Sequence, residues 1–147
     1  MIDGHAPLLL IVEDNDADYA AALRVLRQSS TQRDIERCVH GEDALDYLFG
    51  RGDYAGQPPR RPAVILLDLN LPGTDGREVL QEVKQDPALK MIPIVILSTS
   101  SNPADIEMSY QHGANSYIVK PVNFTLFADA MKSFDDYWLN VVTLPYR

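Results

Sequence analysis

Three carboxylates lie at the ends of apolar, strand-like runs of the chain. Glu13 and Asp14 follow the first run, and Asp68 follows the third. Converging carboxylates repel one another unless a cation neutralises them. Oxygen ligands in small number suit Mg²⁺, which keeps several waters and accepts one or two carboxylates. A single acid at a strand end most often caps a helix, whereas three acids at these positions predict a Mg²⁺ site.

Two further polar residues follow the later apolar runs. Ser98 lies at the end of the fourth run and Lys120 at the end of the fifth. A lysine supplies a point charge for a phosphate oxygen, and a serine supplies a hydroxyl donor. Phosphoryl transfer requires in-line positioning and neutralisation of charge on the equatorial oxygens. The acids, Ser98 and Lys120 together therefore predict a phosphoryl-transfer site.

The elements that must position these residues alternate between strand-like and helix-like patterns. Alternation of this kind predicts an α/β fold, a doubly wound (βα)₅ sandwich with a parallel sheet. A strand order of 2-1-3-4-5 would place the first and third strands side by side at the ligand crevice. Asp16, Asp75 and Asn123 are the predicted N-caps of three helices. The predicted strands are 8–12, 35–39, 63–67, 94–97 and 117–119, and the predicted helices are 17–28, 42–49, 75–85, 104–112 and 124–138.

Length and composition limit the classes of function. The 147 residues are the length of one domain, and 46% hydrophobic with 23% charged residues is typical of a soluble globular protein. A net charge of −8 argues against a nucleic-acid partner. No apolar run approaches the ~20 residues that a membrane span requires, and no signal peptide is visible. The single cysteine, Cys38, fits a reducing, cytoplasmic location.

Several segments that carry these residues resemble the receiver domains of bacterial response regulators. The resemblance spans about residues 8–138. It implies the flavodoxin-like, chemotaxis-receiver fold in a single receiver domain over 1–147, with an apolar C-terminal extension at 139–147 and no output domain. The matching segments are IVEDN (11–15), LLDLNLPG (66–73), DG (75–76), ILS (96–98) and GANSYIVKP (113–121).

The resemblance implies a role for each acid at the site. Asp68 looks like the phosphoacceptor that receives a phosphoryl group from a histidine kinase. Asp14 and Asp68, with the backbone carbonyl of Asn70, look like Mg²⁺ ligands, and Glu13 contributes through bound water. These roles would make the protein a signalling switch and not an enzyme.

The resemblance also implies how the switch works. Ser98 and Tyr117 look like the switch pair, in which the hydroxyl moves toward the phosphoryl group and the ring turns inward. Lys120 looks like the lysine that completes the catalytic set. The bond between Lys120 and Pro121 is expected to be cis, as is typical of the family.

The C-terminal segment 137–145 carries a narrower resemblance. It is similar to the end of the small regulators that pair with bacterial phytochrome histidine kinases. A phytochrome-type kinase is therefore the expected partner. The apolar residues after Trp138 are too many for a solvated tail, so a homodimer is expected, with folding back onto the same domain as the alternative.

Two other functions remain open at this point. A Mg²⁺-dependent phosphohydrolase with an aspartate nucleophile would use the same acids, although such enzymes generally carry a second carboxylate where this chain has Asn70. A constitutive protein-binding module would need no phosphoryl chemistry. The intact set of acids with Ser98 and Lys120 argues against that second alternative.

Overall fold

A computed structural model describes residues 6–29, 32–56 and 60–145, which contain a five-stranded parallel sheet. Its strand order is 2-1-3-4-5, so the predicted order is confirmed. The second strand begins and ends one residue earlier than predicted. The strands are β1 (Leu8–Val12), β2 (Asp34–Cys38), β3 (Val64–Leu67), β4 (Ile94–Ser98) and β5 (Ser116–Val119).

Helices follow each strand, which confirms the predicted (βα)₅ alternation. Asp75 and Asn123 are N-caps whose side chains accept backbone N–H groups, as predicted. The prediction for Asp16 was wrong by one residue. Asn15 is the cap, because its side chain accepts the N–H of Asp18, and Asp16 is the first helical residue. The helices are α1 (Asp16–Arg27), α2 (Gly41–Phe49), α3 (Gly76–Gln85), α4 (Pro103–Gln111) and α5 (Phe124–Asp136).

The sheet has a packed core on each face because successive side chains of a strand point to opposite sides. Leu10 of β1 packs toward α2 and α3, with Leu45 and Val79. Leu9 of the same strand packs toward α1 and α5, with Leu26 and other apolar residues. Strands β1, β3 and β4 are buried along their whole length, which explains why they read as continuous apolar runs.

The pairing of β1 with β3 fixes where the chemistry lies. Val12 is opposite Leu67, so the residues that follow both strands emerge at the same edge of the sheet. Gly76, at the start of α3, packs directly on this edge. A Cβ at this position would lie 2.1 Å from the carbonyl oxygen of Asp68, so only glycine allows the helix to approach so closely.

The C-terminal segment departs from the predicted long helix. Helix α5 ends at Asp136, and a π-helical segment, Tyr137–Val141, follows it. Leu139 is buried, and Leu144 packs against the core between α1 and α5. At least part of the apolar extension therefore folds onto its own domain. None of the described helices has the length and apolar composition needed to span a bilayer.

Candidate functional site

The three predicted acids meet at the edge formed by β1 and β3. One carboxylate oxygen from each of Glu13, Asp14 and Asp68 lies within 4.8 Å of the others. Glu13 and Asp68 are buried, and Asp14 is half-buried. The backbone N–H of Asn70 donates to Asp68 Oδ1 at 3.1 Å and orients that carboxylate. Oxygen atoms at this spacing fit the donor set of a small divalent cation.

Lys120 reaches the same acids from the end of β5. Its Nζ donates to Glu13 Oε1 at 2.8 Å, to Asp18 Oδ2 at 2.9 Å and to Asp68 Oδ2 at 3.4 Å. Burial alone would lower the pKa of Lys120, but the hydrogen bonds to Asp18 and Glu13 outweigh it and raise the pKa above its ordinary value. The ammonium is therefore charged at neutral pH.

For Glu13, in contrast, the effect of burial on the pKa outweighs the hydrogen bonds. Burial raises its pKa to about 7, with a further increase from the charge of Asp68, although the hydrogen bond from Lys120 works against the change. The carboxylates of Glu13, Asp18 and Asp68 share the single ammonium of Lys120, and Asp14 lies beside them, so the acids outnumber the cation. A second positive charge at this edge would therefore be electrostatically favourable.

Ser98 and Tyr117 contact the same loop after β4. Ser98 is fully buried, and its Oγ accepts the N–H of Ser100 at 3.1 Å. The hydroxyl of Tyr117 donates to the carbonyl of Ser100 at 2.9 Å. The two strands are neighbours, with Ile96 opposite Tyr117. The predicted switch residues are therefore linked through one serine.

Comparison with known proteins identifies the family. A model of the response regulator receiver domain matches residues 9–132. The chain belongs to this family. Response regulator Rcp1 of Synechocystis sp. is 41% identical to the receiver over 138 residues, which cover 94% of this chain and 92% of Rcp1.

Solved structures of similar proteins agree with the fold. The crystal structure of the Mn²⁺-bound form of Rcp1 has a TM-score of 0.91 at 40% identity, covering 95% of this receiver and 99% of that chain. The phosphorylated cyanobacterial phytochrome response regulator RcpA has a TM-score of 0.90 at 43% identity, covering 97% and 99%. The predicted resemblance to phytochrome-associated regulators is confirmed.

Asp18 is a site residue of the receiver that the sequence analysis missed. It lies in the first turn of α1 and shares Lys120 with Glu13 and Asp68. The acidic run that follows β1 predicts metal binding and helix capping alone. The signal that could have identified it is its position in the first turn of a helix that begins directly after the acids.

Arg37 was also missed, because it follows no acidic motif. Its guanidinium donates to the carbonyl of Glu13 from Nε at 3.1 Å and from Nη2 at 3.0 Å, and to Asp16 at 2.8 Å. It also lies 4.4 Å from the centre of the Tyr19 ring. Arg37 therefore fixes the loop that carries Glu13 and Asp14.

The peptide bond between Lys120 and Pro121 differs from the expectation. The described residues contain no cis peptide bond, so the predicted cis geometry was wrong. The trans form is the lower-energy isomer of an X–Pro bond by about 0.5–1 kcal/mol.

Proposed function

We propose that Asp68 accepts a phosphoryl group from a partner histidine kinase in a Mg²⁺-dependent reaction, and that the protein signals through the resulting conformational change. The observation that carries this proposal is the convergence of buried Asp68 with Glu13, Asp14 and Lys120 at one edge of the sheet. In the transfer, an Asp68 carboxylate oxygen forms the new bond to phosphorus. The bond from phosphorus to the imidazole nitrogen of the kinase breaks, and that nitrogen keeps the electron pair.

The chain's own residues fit a divalent cation at this edge. Asp14 and Asp68, with the carbonyl of Asn70, would hold Mg²⁺, and Glu13 would contribute through water. The cation would neutralise charge on the transferring group. The Mn²⁺-bound form of Rcp1 supports a divalent metal in a protein similar to this one.

Lys120 and Ser98 complete the reaction site. Lys120 would exchange part of its contact with the carboxylates for a phosphoryl oxygen, because its ammonium is charged and already lies 3.4 Å from Asp68. The hydroxyl of Ser98 would donate a hydrogen bond to a second phosphoryl oxygen. The ring of Tyr117 would then turn inward as the loop after β4 moves. The phosphorylated form of RcpA supports this phosphoryl-accepting role.

The proposed partner is a sensor histidine kinase, and the phytochrome response regulators among the similar structures support a phytochrome-type light sensor. The location proposed for the protein is the cytoplasm, which the single cysteine, Cys38, fits. An exposed apolar patch, Val122, Phe124 and Leu126, follows Lys120 directly and offers a docking surface for such a kinase. Phe124→Ser should slow transfer from the phosphorylated kinase without changing labelling by acetyl phosphate. Tyr110→Ser, at an exposed aromatic on α4, is the control.

A homodimer is the proposed assembly. Tyr137 and Val141 remain exposed on the π-helical segment, whereas Leu139 is buried within the domain. These two side chains would contact a second copy. Sedimentation of Val141→Asp should show a monomer where the parent protein shows a dimer, with Met91→Asp as the control. A parent protein that sediments as a monomer would exclude the assembly.

Labelling with acetyl phosphate tests the central proposal. The protein should incorporate close to one phosphoryl group in Mg²⁺, and mass spectrometry should locate it on Asp68. Asp68→Asn should abolish labelling, whereas Asp129→Asn, at an exposed acid on α5, should not. Equal labelling in excess chelator would contradict the metal requirement. Multiple turnover of acetyl phosphate on the timescale of labelling would favour a phosphohydrolase.

A further inference from the structure

Ser100 holds the loop between β4 and α4 through three of its polar groups. Its N–H donates to Ser98 Oγ, and its carbonyl accepts the Tyr117 hydroxyl. Its own hydroxyl donates to Asp105 Oδ2 at 2.6 Å. Any displacement of Ser100 therefore disturbs both residues of the proposed switch pair at once.

Asp105 continues this set of contacts toward α3. Its other carboxylate oxygen accepts Nη2 of Arg77 at 3.0 Å. Arg77 also donates from Nη1 to both oxygens of Asp75, each at 3.1 Å, and Asp75 is the N-cap of α3. Helix α3 begins at Gly76, directly against the carbonyl of Asp68. The loop after β4 is thus tied to the helix that abuts the proposed phosphoacceptor.

The charges of this set are partly shielded from water. The side chains of Arg77 and Asp105 are 27% and 26% exposed. Hydrogen bonds from Ser100 and then Arg77 hold the pKa of Asp105 below its usual value, so it accepts both donors as a carboxylate. Hydrogen bonds to an ionised acceptor are stronger than neutral ones, so these contacts restrain the loop more than a neutral pair would.

We propose that Arg77 and Asp105 are positioning residues that latch Ser100 and thereby oppose the switch movement of Ser98. The Ser100 latch is defined as Ser100, Asp105 and Arg77. For the Ser98 hydroxyl to move toward a phosphoryl group on Asp68, it must leave the N–H of Ser100 or carry Ser100 with it. The latch makes the second route costly. This inference rests on the proposed role of Asp68, and it assigns the latch to setting the balance between resting and switched states.

A purely structural role for the same residues makes a different prediction. Asp105 lies in the first turn of α4, where a carboxylate is favourable near the helix N-terminus. If that were its whole contribution, its loss would lower stability and leave the affinity for a phosphoryl analogue unchanged. The latch instead predicts tighter binding of the analogue, because less of the binding energy is used to displace the loop.

The test measures binding of beryllofluoride, a phosphoryl mimic, to the full chain in Mg²⁺ by fluorine NMR. Asp105→Asn keeps the shape of the side chain but removes its charge, and Ser100→Ala removes only the hydroxyl. Both variants should bind beryllofluoride about fivefold more tightly than the parent protein, which is within the usual range of coupling between states. Their Mg²⁺ affinity in the absence of beryllofluoride should be unchanged. The Tyr117 ring resonances should shift in both variants without the mimic.

Matched controls separate charge from position. Glu107→Gln neutralises an exposed acid on α4, and Arg24→Gln neutralises an exposed base on α1; both should bind as the parent does. Arg77→Lys keeps the positive charge but loses the guanidinium that contacts Asp75 and Asp105 together. Its affinity for beryllofluoride should therefore lie between those of the parent protein and Asp105→Asn.

The outcomes distinguish failure of the latch from failure of the proposed phosphoryl-accepting role of Asp68. If the parent binds beryllofluoride at Asp68 and the latch variants bind equally or more weakly, the latch is wrong while the role of Asp68 stands. If the parent does not bind beryllofluoride in Mg²⁺, the role of Asp68 is overturned and the latch with it.

Discussion

Lys120 and Arg33 are both cations whose side chains are almost removed from solvent, at 7% and 3% exposed, but their surroundings differ. Arg33 pairs with one carboxylate, Asp135 of α5, at 2.5 Å, and also donates to the carbonyl of Leu26 at 2.9 Å. Lys120 is shared among three carboxylates. One site is balanced in charge and the other has an excess of negative charge.

The difference separates a structural ion pair from a functional one. A buried pair of one cation and one carboxylate carries no excess charge, and this pair ties the segment before β2 to α5. An acidic excess is costly in the free protein, and that cost is relieved when a cation enters or when Glu13, whose pKa burial raises to about 7, takes up a proton. The comparison therefore supports the proposed cation binding at the edge at Lys120 and a structural role for the contact at Arg33.

Arg33→Met should give the largest loss of stability, because it leaves Asp135 buried without a counter-charge. We expect the free energy of unfolding to fall by about 3–5 kcal/mol. Urea unfolding in chelator and in Mg²⁺ should give the same loss, since this pair is remote from the acids. Arg33→Met combined with Asp135→Leu should recover much of it. If Arg33→Met loses less free energy of unfolding than the double variant does, Arg33 and Asp135 are not a charge-balanced pair.

Mg²⁺ itself should stabilise the parent protein. At a hundredfold excess over its Kd, a ligand specific to the folded state raises the free energy of unfolding by about 2.7 kcal/mol. Arg33→Met should retain this increase, whereas Asp14→Asn should lose most of it. A Mg²⁺ effect of equal size in Asp14→Asn would show that the cation binds elsewhere.

Asp68→Asn should stabilise the metal-free protein while abolishing phosphorylation. Removing one negative charge from the excess should raise the free energy of unfolding by about 1 kcal/mol in chelator, as in other active sites where function costs stability. Asp129→Asn is the control for removal of an exposed acid. Destabilisation of Asp68→Asn in chelator would mean that the acids at this edge are not in excess.

How far the sequence predicts each region follows from where its contacts lie. The apolar runs of β1, β3 and β4 and the polar residue after each are adjacent in sequence, so the fold and the acidic edge were predictable. The pairing of Lys120 with Asp18 joins residues 102 apart, and that of Arg33 with Asp135 joins residues equally far apart in the chain. Such contacts depend on the direction of individual side chains, which periodicity does not specify.

The ends of helices are also difficult to predict from the sequence. The run from Glu13 to Asp16 contains several residues that can cap a helix, and only the backbone geometry selects Asn15. The apolar residues after Asp136 read as a continuation of α5, but the chain widens into a π-helical segment that buries Leu139. Local sequence is compatible with either path, and packing against the core decides between them.

A third shielded cation, Lys84 of α3, sharpens the comparison because no carboxylate among the described residues pairs with it. Its Nζ donates to the carbonyls of Lys90 and Ile92 at 3.0 and 2.7 Å. Burial lowers its pKa from 10.5 to about 8. The three cations therefore differ in their surroundings. Lys84 has no charge partner among the described residues, Arg33 has one carboxylate, and Lys120 is surrounded by an excess of carboxylates.

This lowered pKa predicts a small dependence of stability on pH. Between the folded pKa near 8 and the unfolded value of 10.5, the unfolded chain holds more protons on Lys84, so stability rises with pH through that window. Because the group is only half-buried, the gain from about pH 7.5 to about pH 9 should be roughly 0.5 kcal/mol. Urea unfolding of the parent minus that of Lys84→Met isolates the effect from Cys38 and Tyr47, which are common to both proteins. Lys90→Met, at an exposed lysine nearby, should retain the dependence. A parent protein whose stability changes with pH just as Lys84→Met does would show that hydrogen bonds to the carbonyls offset burial, and that Lys84 carries its charge as easily as an exposed lysine.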